Sequence, residues 1–161
     1  MCHTITSRPR RVCEPDTVAR LAEVSNIVGI KEASGDIDQA SQIRALTDSS
    51  FSIYSGDDSL TLPLLSVGAE GVVSVASHLV GDQIQAMIQS YEQGDVQVAR
   101  STHLKLFPLF KVLFASPNPI PVKQALKLQG HDVGSTRLPL VSSDAELDGA
   151  IRSVLQQLDL L

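Results

Sequence analysis

Lys31 is the residue of this 161-residue chain whose type and setting point most directly to chemistry. It lies near the end of a brief apolar run, Asn26-Ile-Val-Gly-Ile-Lys-Glu-Ala33, that reads as a strand buried on both sides, as in a parallel sheet. The C-terminal end of such a strand is where α/β enzymes place their reacting groups. A lysine desolvated there holds more of its amine uncharged. A free amine attacks a ketone to give a carbinolamine and then a Schiff base. The iminium is an electron sink: loss of a proton from the adjacent carbon leaves an enamine, a carbon nucleophile able to add to an aldehyde. The competing reading is structural. The stem could cover apolar surface while the ammonium reaches water, or the head could pair with Glu32, although adjacent strand positions point to opposite faces.

Other residues with chemical capacity carry less pattern. Asp57 and Asp58 follow Gly56, but no partner carboxylate or metal motif accompanies them, so they read as helix caps. Gly56 permits a strand-to-helix turn, and Val73 fits ordinary core. His78 follows a strand at the end where sites gather; as a lone histidine it is left outside the site. Cys2, Cys13 and His3 are three scattered groups where a structural zinc site wants four, and two cysteines make no disulfide framework, so both read as reduced thiols. The net charge of −5 and pI near 5.2 leave no electrostatic footprint for nucleic acid, the basic cluster being Arg8, Arg10 and Arg11. No apolar run approaches the roughly 20 residues of a membrane span. The N-terminus lacks a secretory apolar stretch, so the default compartment is cytoplasmic.

The elements that must position Lys31 follow from periodicity. An apolar share of 43% supplies a packed core. Pro15 opens a short helix with Val18, Leu21 and Ala22 on one face. A first strand is expected at 26–32. After Gly35 and Asp36 a helix presents Ile37, Ala40, Ile43 and either Leu46 or Thr47 to a core. A second strand spans 51–55, and a capped helix holds Leu60, Leu64, Leu65 and Val67. The β-branched run Gly71-Val-Val-Ser-Val-Ala76 is the third strand. Beyond it only helices are expected. One carries Ile84, Met87, Ile88 and Tyr91, a stripe that packing alone explains. A long one from Asp95 to about Leu113 should bend or break at Pro108. Pro117-Asn-Pro-Ile-Pro121 is a stiff connector into a helix near 122–128, and the last helix presents Leu147, Ile151, Val154, Leu155 and Leu158. Repeated βα units imply a parallel α/β sheet. Three strands cannot close a barrel, which takes about 250 residues, so the chain reads as beginning partway through a larger α/β domain.

The stretch Ile27-Val-Gly-Ile-Lys31-Glu-Ala-Ser-Gly-Asp36 closely resembles the Schiff-base segment of the dihydrodipicolinate synthase family, within the pyruvate-dependent aldolase and lyase superfamily. Ser55-Gly-Asp-Asp58, Gly71-Val-Val-Ser-Val75 and Asn118-Pro-Ile-Pro-Val-Lys123 agree in order and spacing, and Arg137-Leu-Pro-Leu140 is similar as well. The resemblance covers about residues 15 to 161; each fragment is unspecific, and the joint match is specific. It implies a (β/α)8 TIM barrel followed by C-terminal helices, with these three strands as the sixth to eighth. The expected organisation is a divergent leader at 1–14, a partial barrel at 15–92 and a helical region at 93–161. Lys31 is then the imine-forming residue, and Gly56 and Val73 line the pyruvate site with main-chain groups. The implied reaction condenses pyruvate with aspartate semialdehyde in lysine biosynthesis, without metal or organic cofactor.

The resemblance breaks at the N-terminus. The family's fifth strand ends in a Tyr-Asn-Val-Pro type segment whose tyrosine relays protons, followed by an arginine for the aldehyde's carboxylate. Counting back without a gap from Pro15 puts His3 at the tyrosine position and Arg8 at the arginine position. Imidazole transfers protons too, but with a different pKa and reach from a phenol. The threonine-containing pyruvate loop belongs to the absent half. Two other readings stand beside the synthase: a related pyruvate aldolase such as an N-acetylneuraminate lyase relative, and a noncatalytic half-barrel that self-associates or docks with a complementary half. An open three-stranded sheet would leave an edge and an apolar face to be covered.

Overall fold

The computed structural model describes residues 2–3 by their backbone and residues 13–161 in full. Four strands form one parallel sheet in the order β1 (Cys2–His3), β2 (Gly29–Glu32), β3 (Ser52–Ser55), β4 (Gly71–Val72). Helix α1 (Pro15–Ala22) precedes β2 and α2 (Ile37–Leu46) joins β2 to β3. A 3-10 turn (Asp58–Leu60) running into α3 (Thr61–Leu65) joins β3 to β4. Then come α4 (Ser77–Glu92), α5 (Val96–Val112), α6 (Ile120–Leu128) and α7 (Ala145–Gln157). The chain divides into two compact units, Met1–Ser74 and Val75–Leu161.

In the first unit, one cluster joins Val18 of α1, Ala40 and Ile43 of α2 and Leu64 of α3 to Ile30 of β2 and Ile53 of β3, with Phe51 and Ala69. The helices therefore share one side of the sheet. Alternation along the strands does the rest: Ile30 and Glu32 of β2 are buried with Ile53 and Ser55 of β3, while Lys31 and Tyr54 are only partly buried and point to the other face. Local signals start the helices where the sequence places them. Pro15 occupies the first turn of α1, and the Asp36 carboxylate caps α2 by accepting from the amides of Asp38 and Gln39.

The second unit is helical, with a core of Ile84 and Met87 (α4), Ala99, Leu106, Leu109 and Phe110 (α5), Ile120 and Ala125 (α6), and Ile151 and Leu155 (α7). Of the α4 stripe, Ile84 and Met87 are core, while Ile88 and Tyr91 are half-buried. Asp95 caps α5, accepting from the amide of Val98, and Asp144 caps α7, accepting from that of Leu147.

Several expectations are corrected. The third strand is two residues long rather than six; just beyond it the Val73 amide donates to the Ser55 carbonyl at 2.8 Å. Val73 is 39% exposed and so is not core, and Leu46 is 50% exposed, leaving the half-buried Thr47 to close that face of α2. The helix of Leu60 to Val67 is a 3-10 turn plus five α-helical residues. α5 runs through Pro108 without a break, and the irregular dihedrals lie in α4 at Val80 (φ −136°, ψ 36°). Pro108 and Leu104 are both exposed, so the Leu104 carbonyl, which loses its helical donor, can be hydrated. A fourth strand, β1, comes from a segment with no strand period.

Candidate active site

Lys31 is the third of four residues in β2 and pairs in register with His3 of β1 and Tyr54 of β3. It thus stands near the C-terminal edge of the sheet, on the face away from α1, α2 and α3. Glu32 does not share that face. Its side chain is 2% exposed, with Oε1 accepting from the Ser34 amide at 2.5 Å and Oε2 from the Gln39 side chain on α2 at 3.0 Å. The carboxylate is used to fix the turn after β2 on the helix side of the sheet.

Gly56 comes against the lysine. A Cβ there would lie 2.9 Å from Lys31 Cε, 2.5 Å from Ala33 Cβ and 3.2 Å from the Glu32 carbonyl oxygen, so only glycine lets the β3 turn close over the lysine stem. The Gly56 amide donates to that same Glu32 carbonyl at 2.6 Å. The Ser55 hydroxyl closes the turn by donating to the Asp57 carbonyl at 2.6 Å. A second close approach lies beside it: a Cβ on Gly71 would meet the Tyr54 ring at 3.3 Å, so the ring leans over β4.

Val73 continues from β4 with its amide bonded to Ser55, one residue from Gly56, and exposes its side chain. Lys31, Gly56 and Val73 are therefore gathered at one edge of one sheet. Arg8 lies outside the described residues. His3 is placed beside Lys31 by backbone register, where the gapless count put the family's tyrosine position.

The two aspartates separate. Asp57 is a cap, its Oδ1 accepting from the Ser59 amide and hydroxyl, each at 2.8 Å. Asp58 is 1% exposed and accepts a short hydrogen bond from the Ser74 hydroxyl. Tyr54 and Ser74 escaped the residue-by-residue reading. Ser74 stood within a quoted motif, but only the packed turn pairs it with Asp58. His78 is exposed at the start of α4. Among the described residues no group of three His, Cys, Asp or Glu is arranged to hold a metal ion, and no helix is long and apolar enough to cross a membrane.

A parallel sheet with helices on one face and a lysine at the C-terminal edge of the other is the arrangement of a barrel-type α/β protein rather than a doubly wound one, which covers both faces. The model of the dihydrodipicolinate synthetase family matches residues 1–158, and the chain belongs to that family. A 4-hydroxy-tetrahydrodipicolinate synthase of Nostoc punctiforme is 60% identical over 161 residues, covering 100% of this chain and 55% of the relative. The crystal structure of a dihydrodipicolinate synthase from Cyanidioschyzon merolae with lysine bound superposes with a TM-score of 0.96 at 45% identity, covering 99% of this chain and 54% of that one. One from Acinetobacter baumannii complexed with pyruvate superposes with a TM-score of 0.92 at 31% identity, covering 99% of this chain and 55% of that one. The chain thus spans about half the length of the curated relatives it matches. Its fold is the C-terminal part of a (β/α)8 barrel with the helices that follow.

Proposed function

We propose that this chain carries the Schiff-base half of a 4-hydroxy-tetrahydrodipicolinate synthase-type lyase, with Lys31 as the amine. The carrying observation is that Lys31 stands on the face opposite the helices, at the strands' C-terminal edge, with its Cε held against Gly56. The amine adds to C2 of pyruvate to give a carbinolamine, which loses water to form the iminium. Removal of a C3 proton moves its electron pair into the iminium and gives the enamine. C3 of the enamine then attacks the aldehyde carbon of aspartate semialdehyde, whose oxygen takes up a proton, and hydrolysis or ring closure releases Lys31. No metal or organic cofactor enters these steps.

In this reading Gly56 and Val73 line the pyruvate with main-chain groups and Arg8 meets the aldehyde substrate's carboxylate. Residues 15–92 are the partial barrel, 93–161 the helical region and 1–14 a leader of divergent sequence that still supplies β1, with His3 in the place of the proton-relaying tyrosine. The compartment is the cytoplasm. The chain works as a homo-oligomer or with a complementary half-barrel, and by itself forms the imine more readily than it completes the condensation. Imine formation needs an accessible amine, whereas turnover also needs placed proton relays and a bound aldehyde.

Borohydride reduction in the presence of pyruvate, followed by peptide mass spectrometry, should put one covalent adduct on Lys31 and none on the Lys31→Ala variant. Labelling that persists in the variant rejects the assignment. Fast turnover of aspartate semialdehyde by the purified chain rejects the partial-chemistry account.

A further inference from the structure

Asp58 buries a carboxylate at the edge where Lys31 stands, although its neighbour Asp57 does the capping. A carboxylate that has left water must be compensated by hydrogen bonds. One of these comes from Ser74, 16 residues away. The tether links two short pieces of backbone that the sheet alone holds weakly. On one side is the Gly56 turn, clasped by the Ser55 hydroxyl and by Thr61, whose hydroxyl donates to the Asp58 carbonyl at 2.9 Å. On the other is the chain leaving β4, a strand of only two residues, where the Val73 amide bonds the Ser55 carbonyl of β3. The next residue is Ser74. Its bond to Asp58 continues the attachment one step past Val73.

We propose that Asp58 is a positioning residue for the ketoacid site. By holding Ser74 it sets the Val73–Ser74 backbone against the Gly56 turn, and so sets both relative to the Lys31 amine. The inference rests on the Schiff-base reading of Lys31. It assigns Asp58 no contact with substrate. Its effect is on how well the ketoacid is held before the amine attacks, because a small misplacement of the site wall weakens binding while leaving the amine reactive.

The test is pyruvate-dependent borohydride trapping on the full chain, read as the pyruvate concentration that gives half-maximal adduct at Lys31. Folded fraction is matched by circular dichroism. Ser74→Ala removes one oxygen from a half-buried position and decides the question if Asp58→Ala fails to fold. Both variants should keep the adduct on Lys31 and raise the half-maximal concentration on the order of tenfold. The double variant should be no worse than the worse single one, since both remove the same tether. Ser74→Thr, which keeps the hydroxyl, should stay near the parent value. A merely structural role would change the folded fraction and not this concentration. Variants that trap with the parent's pyruvate dependence, or singles whose effects add, overturn the positioning role while leaving Lys31 intact. Absence of any Lys31 adduct in the parent chain overturns the Schiff-base reading and this inference with it.

Discussion

Gly56 shows at the scale of one residue how little room the lysine's surroundings leave. The added Cβ of Gly56→Ala would sit 2.5 Å from Ala33 Cβ and 2.9 Å from Lys31 Cε. The lysine stem can swing away; the Ala33 methyl is fixed to the chain and cannot. Overpacking of this kind costs about 1–3 kcal/mol. Gly56→Ala should lower the urea midpoint by a corresponding amount and also cut the yield of pyruvate adduct, because the stem is displaced from the place it now occupies. An unchanged midpoint would mean that the turn closes less tightly over Lys31 than these distances say. The same crowding separates two meanings of a glycine after a strand. Turn formation alone tolerates other small residues, whereas a Cβ-free contact with the lysine does not.

Helix α5 carries a titration that bears on stability. The His103 ring packs between Phe107 and Phe110, with centroids 5.9 and 6.1 Å away, and its Nδ1 is buried without a hydrogen-bond partner. Burial pushes its pKa below the ordinary value, because the imidazolium loses hydration that the phenyl rings do not replace. The unfolded chain, with an ordinary histidine near 6.5, then binds more protons than the folded one over the interval below that value. Stability from the neutral ring is complete above the unfolded pKa, declines as pH falls towards the folded pKa, and is flat below it. Denaturant unfolding of the parent at pH 7 and pH 5 should show this loss, and His103→Leu should make the two pH values more nearly equal. An equal pH dependence in parent and variant would assign the acid-side loss to other groups. In the other unit, Arg44 of α2 ties the helix end to the chain entering β3, its guanidinium donating to the Thr47 hydroxyl at 3.0 Å and to the Phe51 carbonyl at 2.9 Å.

At the scale of the whole molecule, the chain covers about half the length of its curated relatives, and among the described residues β1 and β4 end the sheet. Edge strands offer unpaired backbone donors and acceptors to any neighbour. The sheet face away from the helices carries Lys31 and Tyr54 with no helix of the first unit over it. Sedimentation velocity across a wide concentration range should therefore show the purified chain self-associating, with monomer a minor species. A stable monomer throughout would mean that the edges and the open face are covered within one chain, and would remove the physical motive for a complementary half-barrel.

The order and type of the elements were legible in the amino-acid sequence because they depend on local pattern. Val18 and Ala22 in one helix and Ala40 and Ile43 in the next stand at helical spacing, Asp36 starts its helix by bonding its neighbours' amides and Pro15 by its fixed φ, and Gly-Ile-Lys-Glu is a strand with a lysine one residue from its end. The motifs around Lys31, Gly56 and Asn118 also carried the family. What the sequence alone could not decide was register and reach, which depend on contacts between residues far apart in the chain. A strand period says that Lys31 and Glu32 face opposite ways, but not that Lys31 lies between His3 and Tyr54. Two-residue strands such as β1 and β4 have no period to read; the ladder of the neighbouring strand defines them. The Leu46 side chain satisfied the helical stripe and is exposed all the same, because α2 ends there and the core does not extend that far. The bond from Ser74 to Asp58 exists only because the fold brings one turn to another and takes the Asp58 carboxylate out of water, which makes an exposed-looking acidic pair in the sequence into one half-buried cap and one buried tether.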